Sequence, residues 1–167
     1  MSGLLDRAAI WLATGLGIGL VTPAPGTIGG LWGFPLVWAI DWLPSTGAKI
    51  GVVGILLLIT AVLCSVAARA LGDRKDPQEI VLDEIVALPI VYLGIGVWGP
   101  GVWLTGWLLF RCFDIVKPPP IRRVEQLPAG WGIVADDVLA ALYACAALHV
   151  VIWLNGAAHL GWFVDPA

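Results

Sequence analysis

The residues of this chain with the clearest chemical potential are acids and bases in three short segments. They are Asp83, Glu84, Asp114, Asp136 and Asp137, with Arg111 and Lys117. Hard oxygen ligands without His or Cys are what Mg²⁺ prefers, and so acidic a cluster would repel itself unless a divalent cation sat within it. Arg binds phosphate in a bidentate manner, and Lys binds it as a point charge. These residue types predict a site for Mg²⁺ and a phosphoryl group.

A further anion contact is predicted near residue 26. Gly26 and Thr27 stand at an expected helix start, where free backbone N–H groups can bind phosphate. Structural interpretations remain open for the charged residues. Asp136 and Asp137 could be partners of a helix dipole, and Asp114 could form i,i+3 salt bridges with its two flanking cations. Asp83 and Glu84 could be solvated at a helix start, but an expected depth of about two turns favours function.

The composition predicts an all-α membrane protein with a single domain over residues 1–167. Hydrophobic residues make up 59% of the chain and charged residues 13%, with a mean hydropathy of +0.92. Uncharged stretches cover residues 8–40, 50–68, 85–110 and 138–164. Roughly 20 apolar residues suffice for a helix to cross a bilayer. The net charge of -3 argues against a nucleic-acid partner, which would require a basic face.

Glycines and prolines divide the apolar sequence into helices. They predict a re-entrant or interfacial segment over residues 8–26, followed by helices over residues 27–43, 50–71, 77–98, 101–117 and 134–154. About four of these helices are expected to cross the membrane. Thr27 is the expected cap of the first, and Asp76, Pro77 and Glu79 form an expected capping signal for the third. Asp136 and Asp137 are expected in the first turn of the last helix.

Helix connectivity predicts that the acidic segments share one side of the membrane. The chain reverses near residues 44–48 and again at Gly99-Pro100, which brings Asp83, Asp114 and Asp136 to the same side. Most Lys and Arg residues lie there too, whereas Lys49 stands on the other side. Cytoplasmic loops are enriched in Lys and Arg, so we expect this side to face the cytoplasm.

Four segments resemble the characteristic blocks of bacterial phosphatidylglycerophosphatase A. They are TPAPGTIGG at residues 22–30, IVLDE at 80–84, FRCFDIVKPPPI at 110–121 and GWGIVADD at 130–137. They occur in the family's order, and the third is quite specific. This chain has Gly30, Ala87 and Ala141 where the family commonly has Ser, Gly and Gly. These changes bear on local packing, and on a hydroxyl contact at position 30, rather than on the reaction.

The resemblance implies Mg²⁺-dependent dephosphorylation of the phospholipid phosphatidylglycerophosphate to phosphatidylglycerol, at the cytoplasmic face of the bacterial inner membrane. It implies Asp83, Glu84, Asp114 and Asp137 as catalytic residues, and these four together with Asp136 as metal ligands. Arg111 and Lys117 become phosphate contacts, joined by Gly26 and Thr27. Attack by water and an aspartyl-phosphate intermediate both remain open.

Two other functions are weighed against a lipid phosphatase. Intramembrane acids are equally typical of a divalent-cation or proton transporter. Transport sites, however, lie near the midplane and often within internal repeats, whereas these acids are expected at one face and no repeat is visible. A structural membrane scaffold would leave the acids unexplained. The phosphatase is therefore the favoured interpretation.

Overall fold

The computed structural model describes residues 3–74, 77–96, 99–159 and 161–163. Helices in chain order are α1 (Leu4–Ala13), α2 (Ile18–Val21), α3 (Pro25–Leu31), α4 (Gly33–Asp41), α5 (Thr46–Ala70), α6 (Leu82–Val91), α7 (Pro100–Val116), α8 (Ile121–Val124) and α9 (Gly130–Ala157). The described residues contain no β-strand, which confirms the all-α prediction.

The predicted break in the N-terminal segment lies between α1 and α2. Gly15 and Gly17 both have positive φ angles, 60° and 90°, which glycine adopts without a steric cost. The end of α1 is held to the start of α6, because Val81 N–H donates to the carbonyl of Ala13 at 2.9 Å. A re-entrant or interfacial placement of residues 8–26 stays a prediction.

The predicted helix over residues 27–43 is two helices, and the expected N-cap at Thr27 is wrong. α3 begins earlier, at Pro25, whose fixed φ suits the first helical position. The chain bends at Trp32 because Pro35 has no N–H to donate to the carbonyl of Leu31. Gly33 also permits close packing there, since an added Cβ would lie 2.8 Å from the Leu88 side chain.

The third predicted helix, over residues 77–98, is much shorter than expected. It begins at Leu82 and ends at Val91, and Pro89 lies in its last turn. The capping prediction is wrong for Pro77 and Glu79, because residues 78–79 form a turn and Glu79 pairs with Arg74. Asp76, the predicted cap, and Trp98, the predicted end, lie outside the described residues. Asp83 and Glu84 are therefore in the first turn, not two turns deep.

α5 and α9 are long and apolar enough to cross a membrane, and no other helix of the described chain passes that test. α5 begins at Thr46 rather than at residue 50, since the Ser45 hydroxyl caps it by accepting from Ala48 N–H at 3.2 Å. α6, with 10 residues, spans only about 15 Å against a hydrocarbon core of about 30 Å. The expected number of four membrane helices stays a prediction.

α9 begins at Gly130, four residues before the predicted start at residue 134. The start is set from outside the helix: Gly130 N–H donates to the Ser65 hydroxyl of α5 at 2.9 Å. The expectation that Asp136 and Asp137 lie in the first turn is therefore wrong, because both lie in the second turn. α7 agrees with the predicted helix over residues 101–117 to within one residue at each end. Lys117 is its C-cap and not part of the helix.

α6 lies at the centre of the fold and packs against α3, α4, α5, α7 and α9. Most of its residues are buried, including Ala87, Leu88 and Val91, which are fully enclosed. Phe110 of α7 and Leu148 of α9 complete the same core. Asp83 and Glu84, in the first turn of α6, are consequently positioned by a helix that is packed at the centre of the fold.

Gly130→Ala tests the crossing of α5 and α9. An added Cβ would lie 2.2 Å from the Ala61 carbonyl oxygen, which belongs to a rigid helix backbone. We expect the free energy of unfolding to fall by about 1–3 kcal/mol, as overpacking does. Thermal unfolding followed by circular dichroism in detergent measures it. Gly54→Ala is the control, since its added Cβ meets nothing within 4 Å; an unchanged midpoint in Gly130→Ala would contradict the crossing.

Candidate active site

A cavity of about 390 Å³ opens between α3, α6, α7 and α9, and it contains all nine predicted site residues. They are Gly26, Thr27, Asp83, Glu84, Arg111, Asp114, Lys117, Asp136 and Asp137. We call this cavity the acidic pocket. It combines five carboxylates with two cations, so its fixed charge is strongly negative.

The start of α6 supplies the two innermost acids. Asp83 and Glu84 have only 5% and 9% of their surface exposed, and Asp83 Oδ1 accepts the backbone N–H of Glu84 at 3.0 Å. α3 lies directly against them: an added Cβ at Gly26 would lie 2.2 Å from Glu84 Oε1 and 3.1 Å from Arg111 Nη2. A side chain at position 26 would therefore have to displace the carboxylate of Glu84.

Arg111 joins two carboxylates from different helices. Its Nη1 lies 2.9 Å from Glu84 Oε1 of α6 and 2.8 Å from Asp114 Oδ2 of α7. These side chains are 12–15% exposed, so the ion pairs lie largely out of water. Arg111 and Asp114 therefore form the i,i+3 salt bridge that their spacing allows. A guanidinium has five N–H donors, which is enough to hold these acids and still contact a phosphate.

Lys117 joins the end of α7 to α9. It adopts a left-handed backbone conformation, with φ 47° and ψ 63°, and its Nζ lies 2.6 Å from Asp136 Oδ2 and 3.4 Å from Glu125 Oε2. Burial opposes the charge of the ammonium. The hydrogen bond from Lys117 to Asp136 and the surrounding carboxylates outweigh burial and raise the pKa of Lys117 above its ordinary value.

α9 contributes the remaining two acids. Asp136 and Asp137 are 5% and 4% exposed. Asp137 lies within electrostatic range of all the other carboxylates of the acidic pocket, those of Asp83, Glu84, Asp114 and Asp136. Because both residues are buried in the second turn, a role as surface partners of the helix dipole does not explain them.

The donor chemistry of the acidic pocket fits a magnesium ion. In the part of the chain that the structure describes, no three His, Cys, Asp or Glu side chains form a ready-made cage for an ion. Mg²⁺ does not require such a cage, since it keeps several waters and usually binds through one or two carboxylates together with substrate phosphates. The pocket offers carboxylates of that kind beside two cations, those of Arg111 and Lys117.

Sequence reasoning missed three residues around the site. Gln78 lines the acidic pocket, Glu125 pairs with Lys117, and the buried Nε1 of Trp107 lies 3.6 Å from where a Cβ of Gly30 would stand. Gln78 and Glu125 lie in polar turns that read as solvated loops. The feature that could have indicated Gln78 and Glu125 is that each is a polar residue close in sequence to a site motif. Trp107 had no signal of this kind, since it is one of ten Trp residues in the chain.

Long apolar helices around a buried pocket of acids and bases define a helical, membrane-type protein with a site for a charged ligand. A family model for phosphatidylglycerophosphatase A matches residues 11–152. The chain belongs to the phosphatidylglycerophosphatase A family, a family of lipid phosphatases.

Relatives from three bacteria match most of this chain. A phosphatidylglycerophosphatase A of Haemophilus influenzae is 39% identical over 84% of this chain and 86% of its own length. A Bacteroides thetaiotaomicron protein, provisionally named phosphatidylinositol-3-phosphatase, is 32% identical over 88% and 95%. A phosphatidylglycerophosphatase A of Escherichia coli is 31% identical over 84% and 81%. No solved structure matches the chain at a significant level.

Lys117→Met tests the ion pair that joins α7 to α9. Removing the ammonium takes away the ion pair of the buried Asp136 carboxylate, so we expect a loss of about 3 kcal/mol of stability. The raised pKa means that the contribution of Lys117 is complete below about pH 10.5 and is lost only as pH rises through the folded-state pKa. The loss should therefore be the same at pH 7 and pH 9.

Unfolding in detergent at both pH values measures this loss. Arg123→Met is the matched control, since Arg123 is an exposed cation close to the same loop. Equal stability of the Lys117 and Arg123 variants would show that the pair does not hold the helices together.

Proposed function

We propose that this protein removes the terminal phosphate of phosphatidylglycerophosphate and produces phosphatidylglycerol in a Mg²⁺-dependent step of phospholipid biosynthesis. The observation that carries the proposal is the acidic pocket, in which Arg111 and Lys117 lie among five carboxylates in a chain of this family. Relatives of this chain are named for that activity. The transporter alternative is not favoured, because nothing in the described structure singles it out.

Arg111 and Lys117 bind the terminal phosphate in this proposal. Each already lies beside carboxylates, at 2.8 Å from Asp114 and 2.6 Å from Asp136 respectively. Positive groups fixed in a site of low water content stabilise developing phosphoryl charge more strongly than the same groups in water. Gly26 and Thr27 line the same pocket, with Gly26 next to Arg111, and are further candidate contacts for the phosphate.

The carboxylates have two tasks in this proposal. Asp83, Glu84, Asp114, Asp136 and Asp137 are the residues that would hold Mg²⁺, which when bound would offset phosphoryl charge and favour attack on phosphorus. Asp83, Glu84, Asp114 and Asp137 are also candidates to take the proton from the attacking water. Water then forms the new P–O bond while the bond from phosphorus to the glycerol oxygen breaks, and that oxygen takes up a proton to become the hydroxyl of phosphatidylglycerol. A carboxylate nucleophile would instead leave an aspartyl-phosphate, which acid quenching of a labelled reaction would trap.

The protein is proposed to lie in the bacterial inner membrane with the acidic pocket facing the cytoplasm. α5 and α9 are the helices long enough to cross, and α5 exposes apolar side chains such as Ile55, Ile59 and Val62. The cations Arg122 and Arg123 lie near the pocket end of α7, which agrees with the enrichment of Lys and Arg in cytoplasmic loops. Acyl chains of the lipid would then remain beside the helices while the phosphate enters the pocket.

Asp83→Asn tests the acids of α6. The amide keeps the shape of the side chain but can neither take a proton nor supply a negative ligand, so we expect phosphate release to fall by about 100-fold or more. The measurement is phosphate released from phosphatidylglycerophosphate in detergent micelles. Asp73→Asn is the control, because Asp73 is exposed and Asn tolerates its positive φ of 56°. Full activity in Asp83→Asn would remove this site from the proposal.

Removal of divalent cations tests the metal requirement. We expect EDTA treatment followed by dialysis to abolish phosphate release and added Mg²⁺ to restore it, because the negative pocket needs a cation before it admits a phosphate. The thermal unfolding midpoint should also rise when Mg²⁺ is added to the treated protein. Full activity in the metal-free protein would refute the dependence on Mg²⁺.

A further inference from the structure

A second polar cavity adjoins the acidic pocket and contains none of the predicted site residues. It has a volume of about 460 Å³ and is lined by Gly19, Leu20, Thr22, Pro23, Pro25, Arg74, Gln78 and Glu79. We call it the side groove. Pro23, Pro25 and Gln78 line both cavities, so the side groove lies directly beside the acidic pocket.

Arg74 is the cation of the side groove. Its Nη2 lies 2.8 Å from Glu79 Oε1, its Nε donates to the Leu71 carbonyl at 3.3 Å, and 47% of the side chain is exposed. These two bonds leave other N–H groups of the guanidinium available to a ligand. The hydrogen bond from Arg74 lowers the pKa of Glu79, so the pair is ionised at neutral pH.

The wall of the side groove is built from restricted backbone. Pro23 and Pro25 have fixed φ angles on either side of Ala24. Gly19 packs directly onto the chain before α6, since an added Cβ would lie 2.0 Å from the Glu79 carbonyl oxygen. A groove that is shaped before binding loses less entropy when a ligand enters.

The two cavities differ in the charge that they can accept. The acidic pocket sets five carboxylates against two cations, so a doubly charged phosphate monoester needs additional positive charge there. Among the residues that the structure describes, the side groove sets one cation against one carboxylate and adds the neutral amide of Gln78. A singly charged phosphodiester suits this second environment better than a doubly charged monoester, because Arg74 can donate a charge-assisted hydrogen bond to its anionic oxygen.

On the basis of the proposed function, we propose that Arg74 binds the phosphodiester of the substrate while the terminal phosphate occupies the acidic pocket. The substrate carries both groups, joined by a short glycerol bridge, and the side groove lies next to the pocket. Arg74 is then a specificity residue. It selects lipids that have a phosphodiester beside the phosphate to be removed.

Arg74→Ala tests this assignment through two competitive inhibitors of phosphatidylglycerophosphate hydrolysis. Phosphatidylglycerol carries the diester without the terminal phosphate, and inorganic phosphate resembles the terminal group alone. We expect Arg74→Ala to raise the KM of the substrate and the inhibition constant of phosphatidylglycerol by about tenfold, the loss of one charge-assisted contact. The inhibition constant of inorganic phosphate and kcat should change less than twofold. Arg74→Lys should give intermediate values, since Lys keeps the charge without the guanidinium fork.

Arg123→Ala is the matched control for attraction of anionic lipid to the protein surface. Arg123 is an exposed cation outside both cavities and should leave all four constants unchanged. An equal rise of both inhibition constants in Arg74→Ala, or no rise in either, would overturn the assignment. A wild-type protein that releases no phosphate from phosphatidylglycerophosphate would refute the proposed function instead. Direct binding of phosphatidylglycerol vesicles to the Arg74→Ala and Arg123→Ala variants would still test the role of Arg74.

Discussion

Burial of carboxylates inside an apolar helix bundle is the constraint on which the rest of this structure depends. An isolated charge removed from water is very costly unless it is paired. Arg111 meets this requirement for Glu84 and Asp114, and Lys117 does so for Asp136. Since each cation joins two helices or a helix and a loop, the same contacts that compensate charge also fix the relative positions of α6, α7 and α9.

Close approach of backbones makes this arrangement of charges possible. Gly26 allows α3 to lie against Glu84 and Arg111. Gly29 lies equally close to Val81, because a Cβ added to Gly29 would be 2.6 Å from the Cβ of Val81. Gly33 continues the same contact along α6. Small residues at such positions let helices pack closely where lipid supplies no hydrophobic force between them. The wall of the acidic pocket therefore follows from packing as much as from its polar residues.

The polar site and the apolar surface occupy different parts of the molecule. The acids and cations converge between α3, α6, α7 and α9, whereas the outward face of α5 presents apolar side chains. A lipid has the same division between a charged headgroup and apolar chains. The fold can thus meet both halves of such a ligand without burying its acyl chains.

The clustering of the candidate site residues could be predicted from the sequence more closely than the helix boundaries could, while their roles stay predictions. All nine predicted site residues lie in one cavity because each motif stands at a helix end, and short connections bring those ends to the same side. The predicted helix boundaries were wrong where contacts between residues distant in sequence determine where a helix begins. α9 begins at Gly130 because Ser65, far away in sequence, accepts its first N–H, and α6 begins at Leu82 after Val81 has bonded to Ala13.

The amino-acid sequence by itself determined the all-helical class, the apolar character and the set of charged residues, because these depend on composition and local periodicity. Only the tertiary structure decided which acid each cation contacts, that Glu125 joins Lys117, and that Arg74 borders a second cavity. The reason is that ion pairs and cavities between helices depend on distances that local spacing does not specify.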